Sequence, residues 1–137
     1  MAWFCPNVGE VELLKRVLYT TASSENFTQK LYSNNVVYAE TDVAGSYTEA
    51  TFTGYSSKTL TSSQSGATWA VPTTTAGVTS SAYGTASVWT PTTSQTIYGQ
   101  IIVGATSTVL LLADAFAAGL PLANGATLTI QPVIALD

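Results

Sequence analysis

Histidine is absent from the 137 residues, and cysteine occurs once, as Cys5. A histidine-dependent catalytic triad is therefore excluded, as is a His-ligated zinc site. One cysteine can form neither a cysteine-type metal site nor an internal disulfide. Cys5 also has no histidine to activate it and no nearby cationic neighbour in sequence, so it reads as a reduced thiol rather than a nucleophile. Basic residues are equally scarce. Lys15, Arg16, Lys30 and Lys58 are the whole complement, against eight acidic residues, for a net charge of -4. So few cations argue against nucleic acid as a partner, because phosphate contacts dominate that affinity.

Charge of either sign is sparse: charged residues make up 9% of the chain, against roughly a quarter in an average soluble protein. No charged side chain lies between Thr59 and Ala113, and only Asp114 and Asp137 follow. Such a stretch suits a chain packed into an assembly or working outside the cell, where charge is not needed to stay monomeric. A neutral β domain wetted by hydroxyls would show it too. No basic region followed by an apolar run opens the sequence, so no secretion signal is expected. The most apolar stretch, Ile97 to Leu122, is broken by Gly99, Gln100, Thr106, Ser107, Asp114, Gly119 and Pro121. No membrane span is read from it.

Serine and threonine supply about a quarter of the residues, and hydrophobic residues 46%. Threonine is β-branched and suits a pleated, half-exposed surface. Val, Ile, Leu, Trp and Tyr recur throughout at sheet-like spacing, which separates the chain from a low-complexity stalk.

Residues 1–7 form a short apolar arm carrying Trp3, Phe4, Cys5 and Pro6. Asn7 reads as an N-cap with Glu10 at the capping-box spacing. Val11, Leu14 and Leu18 then fall at i, i+3 and i+7, with Glu12 and Arg16 paired at i,i+4 on another face. The spacing predicts a helix over residues 8–19, ended by the TTASSEN cluster. Beyond it the period changes from 3.6 to 2. Strands are expected at FTQKLYSN, briefly at VVYAETD before a turn at Ala44-Gly45-Ser46, at YTEATFTGY (Thr48, Ala50 and Phe52 on one face, Tyr47, Glu49 and Thr51 on the other), at SSKTLTSS, GATWAVP, GVTSSAYG and TASVWTP. TIYGQIIVG is apolar on both faces and belongs at the centre of a sheet. TVLLLADAF pairs with it across a turn at Gly104 to Ser107. Pro132 lacks a backbone donor, so the last strand, ATLTIQPVIALD, should be an edge or carry a bulge. The expected architecture is mainly β: an antiparallel β-sandwich or jelly-roll-like single domain over 8–137, with one N-terminal helix covering an open end of the sheets.

Several constellations bear on chemistry. Glu40 and Asp42 would share a strand face near Ser46 and Glu49, offering oxygen ligands to calcium. No EF-hand-like spacing or Gly-anchored loop accompanies them, and no metal or other cofactor is assigned. A glycosidase would need two carboxylates across a cleft, for which Glu40 and Glu49 are the candidates. Asp114 reads as a strand-end cap or an interface salt bridge. Ser56 and Ser57 precede Lys58, but a serine–lysine dyad needs a desolvated lysine. No catalytic residue is assigned, and the chain reads as a non-enzyme. The aromatics are a better lead. Trp69 and Trp89 suit a core between sheets, or a flat sugar-stacking platform. Trp3 and Phe4 lie on the arm, which must either fold back on its own sheets or dock on a neighbour.

PNVGEVELLKRVLY, FTQKLYSNN and the closing TIYGQIIVGATSTVLLLADAF and NGATLTIQPVIALD resemble small structural proteins of tailed bacteriophages. The resemblance covers the helix and the last three strands best, and residues 56–96 only in composition. It implies a virion component on the outer surface of the capsid. The implied role is a decoration or cement protein that binds major capsid protein and stabilises contacts between its subunits, with self-association as a homo-dimer or homo-trimer. A tail, adaptor or fibre-associated protein is the alternative, and a carbohydrate-binding β-sandwich the second alternative. Neither nucleic acid nor membrane is an expected partner. Stable contacts are dominated by a few aromatic anchors. Trp3 and Phe4 are therefore the expected anchors, with Lys15 and Arg16 on the helix as an electrostatic contact.

Overall fold

The hydrophobic run of residues 97–103 dictates the centre of the molecule, because a strand apolar on both faces must be covered on both. A computed structural model of the chain describes residues 3–18, 25–62 and 69–136. Its elements in chain order are α1 (Asn7–Leu18), β1 (Phe27–Tyr32), a single 3-10 turn (Ala44–Ser46), β2 (Lys58–Leu60), β3 (Thr73–Thr75), β4 (Val78–Ala82), β5 (Ser87–Trp89), β6 (Gln95–Gly104), β7 (Leu110–Leu122), β8 (Leu128–Ile130) and β9 (Val133–Leu136). The strands pair antiparallel in a four-stranded sheet, β2-β1-β6-β7, and in two smaller sheets, β3-β4-β9 and β5-β8. The domain is mainly β and β-sandwich-like, with one helix near its N-terminus.

β6 is one of the two inner strands of the large sheet, and Ile97, Ile101, Ile102 and Val103 are buried along it. On one face, Leu31 and Ile97 close on Phe52, Trp89, Leu122 and Ile130. On the other, Tyr32, Ile101, Val103 and Ala113 are covered by Tyr47, Val36 and Tyr38 from the connection after β1. β7 pairs with β6 across the expected turn, with register breaks between Ile97 and Gly99 and between Ile102 and Val103. The closing segment is split into β8 and β9 at Gln131-Pro132. The Pro132 carbonyl accepts from Tyr83 N–H at 2.8 Å, so the residue without a donor sits at the interruption.

Three local expectations need correction. The helix runs Asn7–Leu18, and its first carbonyl acceptor is Pro6, which takes the Gly9 and Glu10 N–H groups at 2.8 and 3.0 Å. Asn7 is thus already helical, and its own N–H reaches Glu40 O. Tyr19, the expected end, lies outside the described residues. Residues 47–55 do not form a strand. Only Glu49 bridges Tyr32, and the Thr51 and Phe52 N–H groups are taken by the Gln95 Oε1 side chain and that of Thr53 by Thr93 Oγ1. Side-chain acceptors stand where a neighbouring strand would, although Ala50 and Phe52 are buried as the alternation requires. The polar strand β3 was not expected at all. Its three threonines are exposed, and a two-residue turn at Ala76 and Gly77, both with positive φ, joins it to β4. GATWAVP contributes only a Trp69 bridge to Tyr83, its first residues lying outside those described.

Candidate interaction surface

The orientation of α1 follows from one glycine and one buried carboxylate. A Cβ on Gly9 would collide with the Leu111 carbonyl oxygen and lie 3.0 Å from that of Leu110. Only glycine therefore lets the helix lie directly on the backbone of β7, the outermost strand of its sheet. At the other end of the helix, Arg16 donates from Nη2 to Glu25 Oε1 at 2.8 Å, and its Nε lies 3.4 Å from Glu12. Glu25 also accepts from the Thr106 and Ser107 N–H groups at 2.6 and 2.8 Å and from the Ser107 hydroxyl at 2.6 Å. The carboxylate thus ties the helix to the β6–β7 turn. Burial alone would raise its pKa. The Ser107 hydroxyl, the two backbone N–H groups and Arg16 outweigh that and hold it below the ordinary value.

With Gly9, Glu12 and Arg16 turned inward, the apolar stripe faces out. Val11 is 52% exposed, Leu14 58% and Leu18 73%, and Val8 extends the row. Amphipathic helices ordinarily bury such a stripe against their own domain. Here the polar side is tied down instead. Gly9 and Leu18 are nine positions apart, about half a revolution on the wheel at 3.6 residues per turn. Lys15 and Glu10 are exposed on the flanks of the stripe. On the Lys15 side, a hollow of about 350 Å³ is lined by Asn7, Val8, Val11, Glu12, Lys15 and Val109. Leu13 is also exposed, at 36%, on the same helix but off the stripe, and Val37 and Val71 are exposed elsewhere on the chain.

The four residues expected at an interface are placed differently from one another. Trp3 and Phe4 fold back on their own chain. Phe4 exchanges backbone hydrogen bonds with Ala113 at 2.7 and 2.8 Å, and its ring stacks on Tyr38 with centroids 5.0 Å apart. Trp3 donates from Nε1 to Val133 O at 2.6 Å and packs on the cluster of Leu60, Ile102 and Leu112. The arm extends the large sheet beyond β7 and covers part of its open edge. Of the two fates open to it, folding back is the one observed. Arg16 is spent on Glu25 and Glu12, whereas Lys15 stands on the open face. The sequence reading missed Val8 and Glu25. The helical stripe was visible, but its direction was not.

The remaining candidates are occupied structurally. Asp114 is buried, and ends a chain in which Ser87 donates to Gln29, Gln29 to Gln100, and Gln100 Nε2 to Asp114 Oδ2 at 3.0 Å. It is therefore not a strand-end cap, and its partner is Gln100 inside its own domain rather than a cation across an interface. Burial raises its pKa, and the Gln100 hydrogen bond only partly opposes that. Asp42 accepts from Ala39 N–H and the Tyr47 hydroxyl, and Glu49 from Lys30 and Tyr55. Among the described residues, no three His, Cys, Asp or Glu side chains converge as a metal site would require. Lys58 lies over the Trp89 ring, 5.4 Å from its centroid, with Ser56 Oγ at 3.4 Å. Burial, and then Glu10, raise the Cys5 thiol pKa, the wrong direction for a nucleophile. Trp89 is fully buried and presents no open face, whereas Trp69 is half-buried, with its ring at 68° to that of Tyr83. No described helix is long and apolar enough to cross a membrane.

Comparison with known proteins adds no relative: no protein-family model, curated protein or solved structure matches the chain.

Proposed function

We propose that the chain is a non-enzymatic structural subunit of a tailed phage, a capsid decoration protein on the outer shell that stabilises contacts between major capsid protein subunits. The observation that carries an assembly role is the outward apolar stripe of α1. Val11, Leu14 and Leu18 stand in water in the isolated chain, held there by a helix whose polar side is tied to β7 and the β6–β7 turn. A contiguous apolar row costs free energy until something covers it. The phage setting rests on the sequence resemblance. The rest of the surface suits a subunit used in many copies: hydroxyls rather than charges keep it wet, as on the exposed threonines of β3.

Cryo-electron microscopy of the phage particles carrying this chain tests the reading. Density in many symmetric copies on the head shell is expected, with the α1 face covered. Density at the neck or tail would give the chain a tail or adaptor role instead. Its absence from every particle would overturn the virion reading.

A further inference from the structure

The outward stripe has the residue pattern of a two-stranded helix pair. We propose that the α1 face pairs with the same face of a second copy, the two helices side by side and parallel about a two-fold axis. The proposal rests on reading that face as a docking surface, and names its occupant. Val11, Leu14 and Leu18 are spaced three and four apart, the a, d and a positions of a heptad. Val11 at a with Leu14 at d is the combination that favours two strands over three or four in parallel coiled coils, and Leu18 takes the next a. Gly9 and Arg16, which hold α1 to the body of the domain, lie on the side of the helix away from the stripe, so the stripe is open to a second copy.

Charge selects the direction. With Val11 at a, Glu10 falls at g and Lys15 at e. In a parallel pair, a g residue meets the e residue five positions on in the other helix. Glu10 of each copy then faces Lys15 of the other, giving two symmetric ion pairs. In an antiparallel pair, g flanks meet g and e flanks meet e, so Glu10 would have no lysine opposite it. Glu12 and Arg16 are committed to each other and to Glu25 inside the chain. Among the described residues, Glu10 and Lys15 make no ion pair, and both are exposed. The stripe is under two heptads long, so its contact is smaller than a standard interface and the pairing depends on concentration, as suits subunits held close on a lattice.

Disulfide trapping on the full chain, with Cys5→Ser as background, tests both pairing and direction. Leu14→Cys should cross-link to itself at least about tenfold faster than Thr74→Cys on exposed β3, because paired d positions hold the thiols at high effective concentration. Sedimentation equilibrium should show a monomer–dimer equilibrium that Val11→Glu with Leu14→Glu abolishes. Lys15→Glu and Glu10→Lys should each weaken dimerisation several-fold, and the two together should restore it. A monomer at millimolar concentration, with Leu14→Cys no faster than Thr74→Cys, would overturn the proposal. So would preferential Leu14→Cys to Val11→Cys cross-linking, the antiparallel signature. If self-pairing is absent but Val11→Glu with Leu14→Glu abolishes binding to particles, the docking reading stands and only its occupant changes.

Discussion

Arg16 and Glu25, nine residues apart, meet at 2.8 Å and fix which way the only helix among the described residues faces. Glu25 takes three further hydrogen bonds from Thr106 and Ser107, so one buried carboxylate joins α1 to the β6–β7 turn. The outward direction of Leu14 and Leu18 is a consequence of that contact and of Gly9.

Replacing Glu25 by Gln should destabilise the domain by about 2 kcal/mol at neutral pH, the usual scale for hydrogen bonds to a charged group. The pH dependence has a definite sign. Glu25 has a folded-state pKa below its unfolded value, so its contribution is present above the unfolded pKa and is lost as pH falls through the folded one. Denaturant unfolding of both proteins across the acid range should show their stabilities converging at low pH.

Gly9→Ala should destabilise although alanine is the better helix former by roughly 1 kcal/mol. The added methyl meets the Leu111 carbonyl oxygen, so the helix must lift from β7. A lower thermal midpoint is expected, together with faster amide exchange at Phe4 and Ala113. An unchanged or higher midpoint would mean that the helix is not seated as described.

Asp114 should behave oppositely to Glu25. Its folded pKa is raised by burial, so its contribution is greatest below the unfolded pKa and declines as pH rises through the folded value. Asp114→Asn keeps an acceptor for Gln100 Nε2 and should flatten that decline, leaving the variant at least as stable as wild type at neutral pH. Asp114→Leu removes the acceptor and should cost about 1–3 kcal/mol, the penalty for a buried unpaired donor. Unfolding free energies between acid and neutral pH separate the three proteins.

The arm belongs to the fold. Phe4→Ala should lower stability by about 1–2 kcal/mol through lost burial and ring stacking. Deleting residues 1–6 should go further, because it also uncovers the β7 edge at Ala113, and aggregation on heating should rise. Thermal unfolding followed by light scattering measures both effects.

What could be read from residues alone depended on how local each cause was. The helix, β1, β6 and β7 were legible because their periodicity is strong, and the Gly104 turn made the last two neighbours. The segment around Phe52 has good alternation but no ladder, because the Gln95 side chain, more than forty positions away, takes its N–H groups. β3 is three threonines and carries no apolar signal. The stripe of α1 was visible as a period. Its direction depends on a glycine meeting a distant carbonyl and a carboxylate meeting a turn 82 residues on, and no local pattern encodes either.

Leu18 gives the sharpest contrast between stability and assembly. Leu18→Gln should change the unfolding free energy of the dilute chain by less than about 0.5 kcal/mol, as for an exposed site.

Hydroxyl-radical footprinting of Val11, Leu14 and Leu18, in the dilute chain and in the particle, asks most directly whether the outward face of α1 is an assembly surface. High reactivity in the dilute chain and strong protection in the particle are expected at all three. Equal reactivity in both states, with protection elsewhere on the domain, would contradict an assembly role for this face.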